Sequence, residues 1–202
     1  MNTTQNTHSD EEYSLEDMMA GAVPAETPTT SRPTMLFSLR LSEEPTVISF
    51  VSNSFVKSAF HYLETPDLKG YFKCNGNGCV LCEAEIKRDY RFLTPVYNLF
   101  EQRMEVLAIP TANKPTSLLP LLKPLFGQAG LAISITKNGY QYSVSSKQLP
   151  TGLALDQDTI ESFQQGLDTK SFALSDIYQT ATNEEFEALP NIKTRLAFKR
   201  AA

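Results

Sequence analysis

The sequence is poor in several things that would each announce a function. Hydrophobic residues make up 41% of its 202 residues, yet no apolar run approaches the roughly 18 to 20 residues of a membrane span. The first thirty residues contain neither Lys nor Arg and no continuous apolar stretch, so both halves of a secretory signal are missing. A soluble, cytoplasmic protein is the expectation. Histidine is scarce, with only His8 and His61. If His61 is taken by a metal, no structured histidine is left for a Ser/His/Asp or Cys/His arrangement. No G-x-x-x-x-G-K-[ST] loop occurs, and Gly70, Gly76 and Gly78 lack the strand-then-helix context of a dinucleotide fingerprint. No catalytic residue and no enzyme activity are predicted. No repeat at a fixed period occurs, which excludes a solenoid.

The net charge of −5 argues against a nucleic-acid ligand until its distribution is read. Residues 1–31 hold six acids and no base, and residues 153–202 hold eight acids against five bases, which leaves the middle at +4. A mildly basic centre therefore lies between acidic flanks. Length allows one good-sized core with extensions. Residues 1–33 are polar and acidic, a composition that does not repay the entropy of ordering, and read as a disordered tail. Within that tail Tyr13, Leu15 and Met18 form a short acidic-hydrophobic segment suited to a protein partner.

From residue 34 the pattern is β-rich. Strands are predicted at Met35 to Leu41, Thr46 to Val51, Phe55 to Tyr62, Tyr90 to Asn98 and Met104 to Ile109, with a turn at Glu101 and Gln102 joining the last two. Residues 63–82 read as a loop. Ser117 to Phe126 is Leu-rich but broken by Pro120 and Pro124, which predicts one or two short helical turns. Asn138-Gly139 marks a hairpin between Leu131 to Thr136 and Tyr140 to Val144. After Pro150 the pattern turns helical, with N-cap candidates Asp156 or Asp158 and Thr182 or Asn183. The expected architecture is a mainly β, five- to six-stranded Greek-key barrel of the OB type over 34–150, with a zinc subdomain at 61–90 and a helical extension over 151–202.

Three cysteines fall within nine residues as Cys74-x4-Cys79-x2-Cys82, and His61 precedes Cys74 by twelve intervening residues. A tetrahedral zinc site needs four such donors, and the Cys-x2-Cys turn places two sulfurs on one ion. An odd cysteine count fits a disulfide framework poorly, and a redox Cys-x2-Cys pair needs a thioredoxin-like βαβ context that is missing. His61 is assigned by spacing, and Glu83 or Asp67 could substitute for it. A closed set of four protein ligands stabilises rather than catalyses.

Aromatic and basic residues interleave around this loop and the strand after it. The predicted DNA-binding set is Lys57, Phe60, Tyr62, Tyr71, Lys73, Arg88, Arg91, Tyr97 and Arg103, with Tyr142 on the last hairpin. Single-strand binders combine such residues, stacking bases on the rings while cations follow the backbone. Period-two geometry puts Arg91, Leu93 and Tyr97 on one strand face and Tyr90, Phe92 and Val96 on the other.

The order His61, Tyr71-Phe72-Lys73-Cys74, Cys79-x2-Cys82, Phe92-Leu93-Thr94-Pro95-Val96-Tyr97, then Ile133 to Gly139 and Tyr142-Ser143-Val144 resembles the zinc-containing single-stranded DNA-binding proteins of tailed phages. The likeness covers about residues 34–150. It implies an OB-fold with a structural zinc, sequence-tolerant single-strand binding, and service to replication, recombination or repair in a bacterial host cytoplasm. Proteins of the T-even type carry a basic N-terminal arm and an acidic C-terminal tail, whereas here the acidic segment is N-terminal. That reversal suggests that residues 9–19 recruit replication or recombination proteins, or compete with DNA. Two other functions fit the same residues: a zinc-stabilised adaptor acting through protein partners, and a single-stranded RNA binder.

Overall fold

Strand β5 (Arg88–Asn98) organises the sheet. Along one edge it pairs with β3 (Phe55–Glu64) through Arg88 to Leu93 and then with β2 (Thr46–Phe50) through Val96 to Asn98. Its other edge pairs with β6 (Arg103–Pro110) over the full length of that strand. Pro95 falls between the ladders to β3 and β2, the kind of interval where a residue without an N–H is tolerated inside a strand. A computed structural model supplies these coordinates and describes residues 12–13, 36–66, 68–128, 130–150, 153 and 155–201.

The remaining strands extend the same antiparallel sheet. β4 (Lys69–Lys73) pairs with the second half of β3, and the two-residue β1 (Glu12–Tyr13) pairs with its first residues, Phe55 and Val56. β7 (Leu131–Asn138) joins β2, and β8 (Gln141–Gln148) joins β7. The described ladders leave the sheet open, with β8 at one end. The segment before β2 crosses back to β6 through a parallel bridge, Ser38 to Val106, with backbone hydrogen bonds of 2.9 and 2.8 Å.

Among the described residues there are five α-helices: α1 (Val80–Glu83), α2 (Leu118–Leu122), α3 (Gln157–Asp168), α4 (Asn183–Ala188) and α5 (Pro190–Arg200). Leu118, Leu119 and Leu122 of α2 lie in the main core with Ile48, Phe55, Phe92, Val96, Leu107, Ile109 and Ile133. Pro120 falls in the first turn, where its missing N–H breaks no intrahelical bond. Asp156 caps α3 by accepting from the Thr159 N–H. Thr182 and Glu185 form a reciprocal capping box at the start of α4, with bonds of 3.2 and 2.7 Å.

Several expectations change. The predicted strand over Met35 to Leu41 reduces, among the described residues, to the single bridge at Ser38, and the chain then bends at Glu43 and Glu44 before β2. Residues 63–82 are not one loop: Lys69–Lys73 is a strand and Val80–Glu83 a helix. Pro66 and Gly70 suggested a loop, but Gly70 sits within β4 at φ 126 while the ladder continues. The last hairpin turns at Gly139 and Tyr140, one residue later than Asn138-Gly139, since Asn138 already pairs with Gln141. The tail residues Leu15 and Met18, and also His8 and Asp67, lie outside the described residues, as does the side chain of Tyr13. No helix among the described residues is long and apolar enough to cross a membrane.

Candidate metal centre and aromatic face

Successive side chains of β3 alternate between the two faces of the sheet, and each face carries a different chemistry. His61 shares one face with Ala59 and Leu63. Cys74 follows β4 directly, and its N–H donates to the Ala59 carbonyl at 2.9 Å, which brings the thiol beside His61. Cys79 is the N-cap residue of α1 and Cys82 lies one turn inside it. The turn between Cys74 and Cys79 uses left-handed glycines, Gly76 at φ 70 and Gly78 at φ 81.

The four donor atoms all lie within 4.8 Å of one another. His61 Nε2 is 3.4 Å from Cys82 Sγ and 3.7 Å from Cys79 Sγ, and Cys74 Sγ is 3.6 Å from Cys82 Sγ. A zinc tetrahedron with ordinary Zn–N and Zn–S bonds has edges of about 3.5 to 3.8 Å, so these distances are compatible with a structural metal site. The Lys87 carbonyl lies 3.2 Å from His61 Nδ1. A carbonyl can only accept, so Nδ1 carries the proton and Nε2 is left to ligate. Arg88 Nε donates to Cys82 Sγ at 2.9 Å and offsets thiolate charge. The hydrogen bond between Cys74 and Cys79 favours one thiolate over the other, holding Cys79 below the usual thiol range and pushing Cys74 above it. His61, Cys74 and Cys79 are buried and Cys82 is half-buried.

The C-terminal helices seal this site. Asn183 accepts from the Val80 N–H at 3.2 Å and from Asn75 Nδ2 at 3.0 Å, and donates to the Gly78 carbonyl at 3.0 Å. Phe186, Leu189, Ile192 and Leu196 pack with Phe72, Cys74, Cys79 and Leu81 in one cluster. Glu83 is engaged by Arg200 at 2.8 and 3.1 Å, so it is not the substitute ligand considered from the sequence. Asn183 and Phe186 carried no metal signal in sequence, because their part depends on a contact more than a hundred residues away in the chain.

The opposite face of β3, β4 and β5 collects much of the aromatic-basic set. Tyr62 and Tyr71 are cross-strand neighbours with ring centroids 5.0 Å apart. The Arg91 guanidinium lies 3.9 Å from the Tyr71 ring centroid and is held by Asp89 at 2.9 and 3.1 Å. Phe60 and Lys73 share this face but are buried, so neither offers surface to a ligand as placed. Tyr97 is also buried. The remaining members lie elsewhere. Lys57 sits 5.1 Å from the Tyr90 ring centroid on the metal side, and Arg88 is committed to Cys82. Arg103 covers Phe37 and pairs with Glu105 at 2.7 Å, while Tyr142 packs against the main core.

The exposed remainder is Tyr62, at 45% relative exposure, with Tyr71 and Arg91 half-buried beside it. Comparisons with protein-family models, with curated proteins and with solved structures returned no match.

Proposed function

We propose that this chain is a sequence-tolerant single-stranded DNA-binding protein, serving replication, recombination or repair, and that its metal is a structural zinc. The observation that carries the reading is the gathering of Tyr62, Tyr71 and Arg91 on one sheet face, with exposed Lys69, ion-paired to Glu64 at 2.8 Å, at its margin. Rings of this kind stack bases and the cations follow phosphates, with stacking worth about 1 to 3 kcal/mol per base.

The strand order supports an OB-type frame: β2, the hairpin β5–β6, the helical connection α2, and the hairpin β7–β8. On that frame β3, β4 and the cysteine loop form an insertion between its first two strands, β2 and β5. Three thiols and one imidazole suit zinc over harder cations, and burial of the donor set leaves it a structural role. The resemblance to phage single-strand binders points the same way.

The test is a salt titration of binding to labelled oligo(dT), oligo(U) and duplex DNA. Single strands should bind at least about ten-fold tighter than duplex, with affinity falling as salt rises. R91A should weaken oligo(dT) binding by about ten-fold. Equal affinity for duplex, or no binding at all, overturns the reading. Preference for oligo(U) moves it to RNA, and binding indifferent to R91A moves it to the adaptor function.

A further inference from the structure

We propose that residues 171–182 form a strap over the aromatic face, with Tyr178 standing where a base would stack, and that a bound single strand displaces it. This rests on the single-strand-binding reading above and adds a regulatory element to it.

The strap crosses between α3 and α4: Leu174, Ile177 and Tyr178 lie on the side of β3–β4–β5 that faces away from the donor set, and from Gln179 the chain passes the β4 edge to Ala181, which packs on the donor side. The Tyr178 ring centroid is 4.4 Å from that of Phe60 and 5.8 Å from that of Tyr71. Arg91 Nη1 donates to Tyr178 Oη at 3.1 Å. Burial pushes the Tyr178 phenol up, so the ring stays neutral while it occupies the stack. Two residues earlier, Asp176 faces the buried Lys73 ammonium at 3.9 Å, and Ser175 Oγ accepts from the same ammonium at 2.6 Å. The strap thus brings an aromatic ring and an anion to a cationic, aromatic face. These are the two recognition features of a nucleotide.

At the sheet edge the strap is held by one backbone bridge, where the Lys73 N–H donates to the Gln179 carbonyl at 3.0 Å, and by Asn75 Nδ2, which donates to the Ala181 carbonyl at 3.1 Å. Ser171, Gln179 and Thr180 are exposed, and α3 before it has no fully buried residue. Its apolar anchors are Leu174, packed with Val56, Leu93 and Val106, Ile177 beside that cluster, and buried Phe172 on Phe163 of α3. A ligand that replaces the Tyr178 ring and the Asp176 charge in kind therefore competes for the same partners. The apparent affinity for a single strand is lowered by the fraction of molecules whose strap is closed.

The experiment measures oligo(dT) affinity for the metal-loaded full chain, Y178A, D176N and R91A, together with amide exchange of the native protein with and without oligo(dT). D176N is nearly isosteric and can keep the bond that Asp176 accepts from the Ala173 N–H, so it tests the strap if Y178A fails to fold. Expected results are about ten-fold tighter binding for Y178A, about three-fold for D176N, and faster exchange at Lys73 and across 171–182 when oligo(dT) is bound. Weaker or unchanged binding by both variants, with strap exchange unchanged or slowed by oligo(dT), overturns the strap and leaves single-strand binding intact if R91A still loses affinity. No binding by any form overturns both.

Discussion

The two faces of β3 are covered by the same C-terminal extension in opposite ways. Behind Ala59, His61 and Leu63, the cover is apolar and continuous: Phe186, Leu189, Ile192 and Leu196 close over a convergent donor set. In front of Phe60 and Tyr71, it is a strap whose contacts mix apolar anchors, Phe172, Leu174 and Ile177, with a tyrosine stack, a carboxylate and a hydroxyl on Lys73, and a backbone bridge to β4. An apolar seal over metal donors has no substitute in water, so opening it amounts to local unfolding. A ring stack and an ion pair can be replaced by another ring and another anion. On the proposed reading the metal side fixes the insertion and the aromatic side exchanges partners.

The strongest way to break this comparison is to remove the zinc proposed for the donor set. Structural zinc contributes on the order of 10 kcal/mol in small zinc domains, far more than any single side chain here. Chelation, or C79S, should raise amide exchange across 74–84 and 183–200 to near-unfolded rates. The β7–β8 hairpin, which has no contact with the donor set among the described pairings, should keep its protection. A protein purified without metal, or one whose thermal unfolding ignores chelation, would remove the basis for the structural role.

F186A comes next. Phe186 is fully buried and meets the Phe72 ring edge-on at a centroid distance of 5.7 Å. Its truncation should destabilise the metal-loaded protein by about 3 to 5 kcal/mol in denaturant unfolding, while oligo(dT) affinity of the folded fraction stays unchanged. A loss of affinity equal to that of R91A would mean that the two faces are not independent.

Much of this frame could be read from spacing. The Cys74, Cys79, Cys82 and His61 set follows from local turn chemistry plus one strand register, and the donor atoms do converge. The alternation in β5 was equally legible, with Phe92 and Val96 in the main core and Leu93 behind the other face. What spacing could not supply was the partner of each exposed-looking residue. Lys73 reads as a cation beside an aromatic run, yet Ser175 and Asp176, a hundred residues on, bury it. Tyr178 has no sequence feature that sets it apart, because its position depends on how α3 and α4 are anchored. β4 was missed for a local reason: a five-residue strand containing Gly70 carries too little alternation to outweigh its turn residues.

The smallest predicted effect sharpens the aromatic side, and its sign is set by two opposing terms. Gly166 lies in α3 at ordinary helical geometry, so alanine there should gain about 1 kcal/mol of helix propensity. An added Cβ, however, would lie 2.3 Å from Phe172 Cε1 and 2.9 Å from its Cζ, well inside contact distance. Phe172 is buried and packs on Phe163 with ring centroids 5.0 Å apart, so the ring cannot swing away without giving up that contact. Overpacking of this kind costs about 1 to 3 kcal/mol, which outweighs the propensity gain. G166A should therefore lower stability by about 1 kcal/mol. Because Phe172 begins the strap, the variant should also speed exchange at 171–182 while leaving 183–200 unchanged. A more stable G166A with a slower strap would show that the Phe172 ring is free to move and that its packing does not hold the strap.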